Sequence, residues 1–190
     1  MWVVVSVIGA VLGTLAAWPV RALLSDPAPA WVVAALRDLG TIVTALIAAG
    51  AQWLLLRRYR LDVYWWVPAT VAATFLAVLV VIPTVGRLMV PPGGSILTGG
   101  AVMAGGAAVG AAGLVIGAAQ AFVLRASRGN IAWAWIPVTG IGGGLAGAVT
   151  SAVSIQLPVL PALATIGLLS AVGALLISGS QAPVLRRILS

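Results

Sequence analysis

Long apolar runs, each closed by an arginine or by a proline and glycine break, follow one another along this chain and leave it few ways to fold. About 20 predominantly apolar residues are enough for a helix to cross the ~30 Å hydrocarbon core of a bilayer. Six such runs can be read in order: Trp2 to Leu24, Trp31 to Leu56, about Trp66 to Thr84, about Ile96 to Leu124, Trp133 to Gln156, and about Leu160 to Leu185. The residues between them explain why they stop. Ser25-Asp26-Pro27 follows the first, Arg57 and Arg58 end the second, Pro83 and Pro91-Pro92-Gly93-Gly94 break the third, and Arg125 ends the fourth. Pro158 and Pro161 follow the fifth, and Arg186 and Arg187 end the sixth.

A water-soluble reading fails on charge. Soluble domains devote about a quarter of their residues to charged side chains, whereas here 7% are charged and 62% are apolar. The expected fold class is therefore an all-α integral membrane protein. The first run lacks a basic segment after Met1 and exceeds the ~7–15 apolar residues of a secretory signal, so it reads as a retained helix.

All ten basic residues are arginine, and their distribution orients the chain. Arg57, Arg58, Arg60, Arg125, Arg128, Arg186 and Arg187 fall on one side of the expected spans, against Arg21, Arg37 and Arg87 on the other. The positive-inside rule puts the first group in the cytoplasm, and both termini with it, in a multi-pass cell-membrane protein. Arg57, Arg58, Arg125, Arg186 and Arg187 read as cytoplasmic anchors. The formal charge of +7 needs no nucleic acid to explain it, because these arginines sit at the ends of apolar runs instead of forming a patch on a folded surface. The tryptophans fall at the expected membrane faces, and Trp2, Trp65, Trp66, Trp133 and Trp135 read as an inner interfacial belt.

An internal repeat sharpens this outline. Gln52 to Arg57, Gln120 to Arg125 and Gln181 to Arg186 all read QxxxLR, with Gly50, Gly117 and Gly179 two or three positions upstream. After the first two copies a tryptophan, Trp65 or Trp133, follows the glutamine at the same interval, and Pro68 or Pro137 stands just beyond. The start of the chain fits the same register, with Trp2 to Gly9 aligned to Trp135 to Gly142. One membrane domain over 1–190 is expected, built as six transmembrane helices in three parallel helical-hairpin repeats at 1–60, 61–128 and 129–190, related by an axis along the membrane normal. This pattern resembles a group of uncharacterised bacterial multipass membrane proteins whose hairpins repeat a QWLxLRR…WW signature. The resemblance implies architecture and no activity, and it weakens at the third copy, where Pro183 interrupts the motif.

Gln52, Gln120 and Gln181 are the repeat's polar positions. A buried amide in hydrocarbon needs its donors and acceptors met. Either each ties its helix to the next hairpin, through an indole such as that of Trp65 or Trp133, or the three line a small polar mouth. Gly106 with Gly110, Gly113 with Gly117, Gly140 with Gly144 and Gly143 with Gly147 are spaced GxxxG, which lets helix backbones approach closely. They serve packing inside the chain or docking onto another protein's helices.

Catalysis is not expected. The chain has no His, Cys, Lys or Glu, and its three acids, Asp26, Asp38 and Asp62, fall at the ends of spans, so it lacks the tunable acid, base or nucleophile an active site needs. No metal site or cofactor is expected, since the usual ligands of haem, zinc and iron–sulfur clusters are missing. A lipid or pigment held by shape is compatible with the sequence. Beside the lipid bilayer, other membrane protein subunits are the expected partners. Two functional readings result: a non-catalytic accessory or scaffold subunit of a larger bacterial membrane complex, packing through its glycine-rich helices, or a small passive channel or substrate-binding membrane component.

Overall fold

The computed structural model describes residues 1–17, 29–59, 61, 63–89, 98–156 and 162–189. Among them every regular element is helical. Helix α1 is Trp2–Ala16 and α2 is Ala30–Arg58. Helix α3, Trp66–Leu76, passes through a π turn, Ala77–Val81, into α4, Ile82–Met89. Helix α5, Thr98–Arg128, is joined by a 3-10 segment, Gly129–Ala134, to α6, Trp135–Gln156, and α7 is Ala162–Leu189.

Four helical stretches among the described residues are long and apolar enough to cross a membrane: Asp38–Arg58, Trp66–Met89, Gly99–Val153 and Gly167–Leu189; Trp2–Ala16 is a shorter apolar helix. These five replace the six separate spans, and the three two-span hairpins built from them, that the sequence led us to expect. At ~1.5 Å per residue the 15 residues of α1 reach only about 22 Å, less than the ~30 Å hydrocarbon core. Trp18 to Leu24, the remainder of the expected first span, lies outside the described residues. The expected fourth and fifth spans are not separated by a loop. Helicity runs through Arg125, where a stop was expected, to Arg128, and the 3-10 segment carries it on into α6, giving one stretch of 55 residues. That stretch doubles back at Gly129, whose φ of +60° is a conformation glycine takes without steric cost and which commonly ends a helix.

The third expected span also ends later, at Met89 instead of Thr84. Pro83 lacks the N–H that would bond the carbonyl four residues back, and its ring crowds that carbonyl. The π turn just before it loosens the ladder at that point, so the helix passes the proline. Pro183 is likewise inside α7.

The helices close into a ring. Helix α1 packs against α2 and α7, α7 against α6, α6 against α5, and α5 against α3, which returns to α2. The tightest seam, α5 on α6, is set by glycine. A Cβ on Gly113 would lie 2.6 Å from the Thr139 carbonyl oxygen, and one on Gly143 2.7 Å from that of Val109. One on Gly110 would come 3.3 Å from the Gly144 Cα. The two backbones are therefore in contact, where dispersion across many atoms substitutes for the hydrophobic drive that lipid cannot provide.

Candidate functional site

Trp2, Trp66 and Trp135 meet at the centre of the end where α2, α5 and α7 finish. Their ring centroids are 5.6 to 6.2 Å apart and each pair is edge-to-face, with interplanar angles of 75 to 80°. Such pairs contribute about 0.5–1.5 kcal/mol each beyond area burial. The triangle is in the core, with Trp66 and Trp135 at 0% exposure and Trp2 at 5%. These three rings therefore face one another and present almost no surface to lipid. Trp65 and Trp133 remain on the surface, at 73% and 38% exposure. Helix phase explains the split, since α3 and α6 begin at Trp66 and Trp135, and the preceding indoles fall on the lead-in.

The repeated glutamines surround the triangle. Trp2 Nε1 donates to Gln181 Oε1 at 3.2 Å, and Gln181 Nε2 donates to Thr139 Oγ1 at 2.9 Å. Thr139 in turn donates to the Trp135 carbonyl. Trp135 Nε1 donates to Gln120 Oε1 at 2.8 Å, and Gln120 Nε2 to Thr70 Oγ1 at 3.1 Å. Gln52 Nε2 donates to Ser6 Oγ at 3.0 Å. Each amide thus reaches a hydroxyl four residues after one of the central tryptophans, and two of the three accept an indole N–H. The partners are Trp2 and Trp135, not Trp65 or Trp133. Ser6, Thr70 and Thr139 were missed from sequence, although a signal was present: Trp-x-x-x-Ser/Thr recurs at 2, 66 and 135.

Directly against this network lies a cavity of about 270 Å³, which Gln52, Gln120, Gln181, Thr70 and Thr139 help to line. It adjoins a larger one of about 620 Å³ between α1, α2, α6 and α7. Thr41, Thr44, Ala48, Gln52, Val109 and Ile177 belong to both walls. Among the described residues no charged side chain lines either. Several wall hydroxyls already donate to their own helix: Thr44 to the Gly40 carbonyl at 2.9 Å, Thr150 to that of Ala146 at 2.8 Å, and Ser178 to that of Ala174 at 2.5 Å. A hydroxyl used that way still has oxygen lone pairs to offer, so the chamber is an acceptor-lined, neutral space with apolar walls.

The remaining candidates are elsewhere. Arg57, Arg58, Arg125, Arg186 and Arg187 are exposed at the ends of α2, α5 and α7. Arg57 stacks on Trp53 and Arg125 on Trp133, each with the guanidinium carbon 5.3 Å from the ring centre. Gly106, Gly110, Gly113, Gly117, Gly140, Gly143, Gly144 and Gly147 all face the α5–α6 seam. A Cβ on Gly117 would lie 2.9 Å from that of Thr139, one on Gly140 would strike the Leu114 side chain, and one on Gly147 the Gly105 carbonyl. No group of His, Cys or acidic side chains among the described residues is arranged to hold a metal. No protein-family model, curated protein or solved structure matches the chain.

Proposed function

We propose that this chain is a non-catalytic, membrane-embedded binding component whose central chamber holds a small, neutral, mainly apolar molecule. One observation carries the reading: the helices border two adjoining, partly open cavities of about 620 and 270 Å³ whose walls, among the described residues, bear hydroxyls and amides and no charge. Volumes of this order are typical of small-molecule sites, which run from ~300 to 1,000 Å³. An ion would meet no counter-charge there, and burying an unpaired charge is costly. Ion-coupled carriers rely on intramembrane ionisable groups, and among the described residues these walls carry none.

The other expected readings have less support. The Trp2, Trp66 and Trp135 triangle blocks one end of the chamber with packed rings, which opposes a passive channel. The GxxxG glycines are engaged within the chain, which leaves an accessory subunit without the docking faces it was expected to use. On the positive-inside rule the triangle and the exposed arginines belong at the cytoplasmic face of the cell membrane.

Gly173 gives a direct test. It lines the larger cavity, and a Cβ there would lie an ordinary 3.8 Å from that of Ala146, so a longer side chain extends into the chamber without moving backbone. Native mass spectrometry of the protein released from a mild detergent is expected to find a bound neutral molecule of lipid-like mass on the wild type. On Gly173→Leu its occupancy should fall at least tenfold while the thermal stability stays the same. Wild-type protein with no adduct, or an adduct equally abundant on the variant, would remove the basis of this reading.

A further inference from the structure

The three QxxxLR copies hold their arginines differently. Arg57 is stacked on Trp53 and Arg125 on Trp133, each with the guanidinium carbon 5.3 Å from the ring centre. Arg186, the arginine of the third copy, has no ring contact, hydrogen bond or ion pair among the described residues. Its copy carries Ala182 at the position that Trp53 occupies in the first. A cavity of about 230 Å³ lies there, with Ala182 and Arg186 in its wall.

The cavity sits where α7 meets α1, with the end of α2 as its third side. At the two corresponding seams a connecting segment packs into the core, through Leu61 and Val63 between α2 and α3 and through Ala132 between α5 and α6. Among the described residues no segment does so between α7 and α1. The cavity shares no wall residue with the chamber.

Its walls have two characters. Trp2, Leu55, Leu185 and Leu189 are apolar, whereas Arg186 and Tyr59 are exposed and polar, and the Tyr59 hydroxyl also has no partner among the described residues. No acidic side chain lines the cavity, and the first turn of α1, which forms one wall, has none either. An arginine without a counter-charge, beside a hydroxyl donor, suits a phosphate, because the planar guanidinium fork matches phosphate oxygens and stays charged. The volume is below the ~300–1,000 Å³ of drug-sized sites, so it takes a headgroup and not a whole lipid. The positive-inside rule puts this end at the cytoplasmic face, where anionic lipids attract basic groups.

We propose that the α1–α7 seam binds the phosphate of an anionic phospholipid, with Arg186 supplying the charge, Tyr59 a second donor, and the leucines an apolar bed for the start of the acyl chains. This goes beyond the chamber reading and does not rest on it. Free inorganic phosphate offers the same chemistry, and the test separates the two sources.

The full-length protein in neutral maltoside micelles is titrated with dioleoylphosphatidylglycerol or dioleoylphosphatidylcholine, and native mass spectrometry counts the lipid adducts. The wild type is expected to bind phosphatidylglycerol at least fivefold more tightly than phosphatidylcholine, whose choline finds no acidic partner in this wall. Arg186→Gln should remove about tenfold of the phosphatidylglycerol affinity, on the scale of one charged hydrogen bond. Tyr59→Phe should remove two- to fivefold. Ala182→Trp, which places in the third copy the ring found in the first, should fill the seat and lower occupancy as much as Arg186→Gln. Arg57→Gln and Arg125→Gln change the net charge equally and should leave binding as in the wild type. The Arg186 Nε ¹H–¹⁵N resonance, assigned by its loss in Arg186→Gln, should move with phosphatidylglycerol and stay in place with sodium phosphate at matched ionic strength.

Equal losses in Arg186→Gln, Arg57→Gln and Arg125→Gln would show diffuse attraction to a basic face and overturn the site. Equal binding of the two lipids by the wild type would overturn the recognition of an anionic headgroup. A resonance moved by sodium phosphate as far as by lipid, without a lipid adduct, assigns the seat to the free anion and overturns the lipid assignment. Should Ala182→Trp not fold, Arg186→Gln, whose side chain is exposed, and the wild-type titrations decide the matter.

Discussion

Trp135→Ala is expected to cost about 3–5 kcal/mol of folding free energy, the range for deleting a large buried aromatic side chain. The ring has no exposed surface, makes edge contacts with both Trp2 and Trp66, and gives its N–H to Gln120. Its loss opens a cavity and leaves a buried amide oxygen unpaired at the same time. Trp133, two residues earlier, should behave differently. It is partly exposed and stacks only on Arg125 among the ring contacts described, so Trp133→Ala should stay within about 1 kcal/mol, the scale of an exposed cation–π contact. Unfolding by SDS in mixed micelles, followed by far-ultraviolet circular dichroism, measures both. Equal losses would mean that the wrong indole of the pair has been placed in the core.

Gly113→Leu should be the most disruptive change in the α5–α6 seam. Its first added carbon would lie 2.6 Å from a backbone carbonyl oxygen and 3.2 Å from the Gly140 Cα, and neither atom can rotate away as a side chain does. The helices must separate, and the close contacts along the whole seam weaken together. Overpacking typically costs about 1–3 kcal/mol and sometimes more. Because backbone is struck here, we expect a loss of at least about 3 kcal/mol, or a protein that is not recovered folded. Gly50→Leu is the control, since a Cβ there meets nothing within 4 Å. It should be neutral or stabilising by up to about 1 kcal/mol, because leucine is the better helix former. The same SDS titration reads both, and a Gly113→Leu protein as stable as the wild type would contradict the close approach of α5 and α6.

The helical class was legible in the sequence because the apolar runs are long and the charges sit only at their ends. The number of spans was not. The stop at Arg125 rested on charge, and an arginine at the end of a helix interacts favourably with the carbonyl end of the dipole, so it is compatible with another helical turn. Pro83 read as a terminator because a π turn has no sequence signal that marks it in advance. At the candidate site, the QxxxLR repeat picked out three amides that the fold brings around one tryptophan triangle, with Gln120 and Gln181 buried and Gln52 half-buried. Their indole partners did not, because counting 13 residues from Gln52 and Gln120 reaches Trp65 and Trp133 and ignores the rotation of the next helix. In each case the choice between neighbouring tryptophans is made by the phase of a helix whose first residue sequence spacing does not specify. The chamber itself left no pattern, being formed by single threonines, serines and alanines from helices far apart in the chain.

The hydrogen bond from Trp2 to Gln181 joins residues 179 positions apart, and Met1 and Leu189 line one small cavity at the arginine-rich end. Helices α1 and α7 are thus neighbours in the ring just as α5 and α6 are, and the network around the tryptophans passes across that junction without regard to peptide connectivity. Sequence order and spatial order are then separable. A circularly permuted gene, with a short glycine–serine linker from Ser190 to Met1 and new ends opened between Gly129 and Asn130, should encode the same ring.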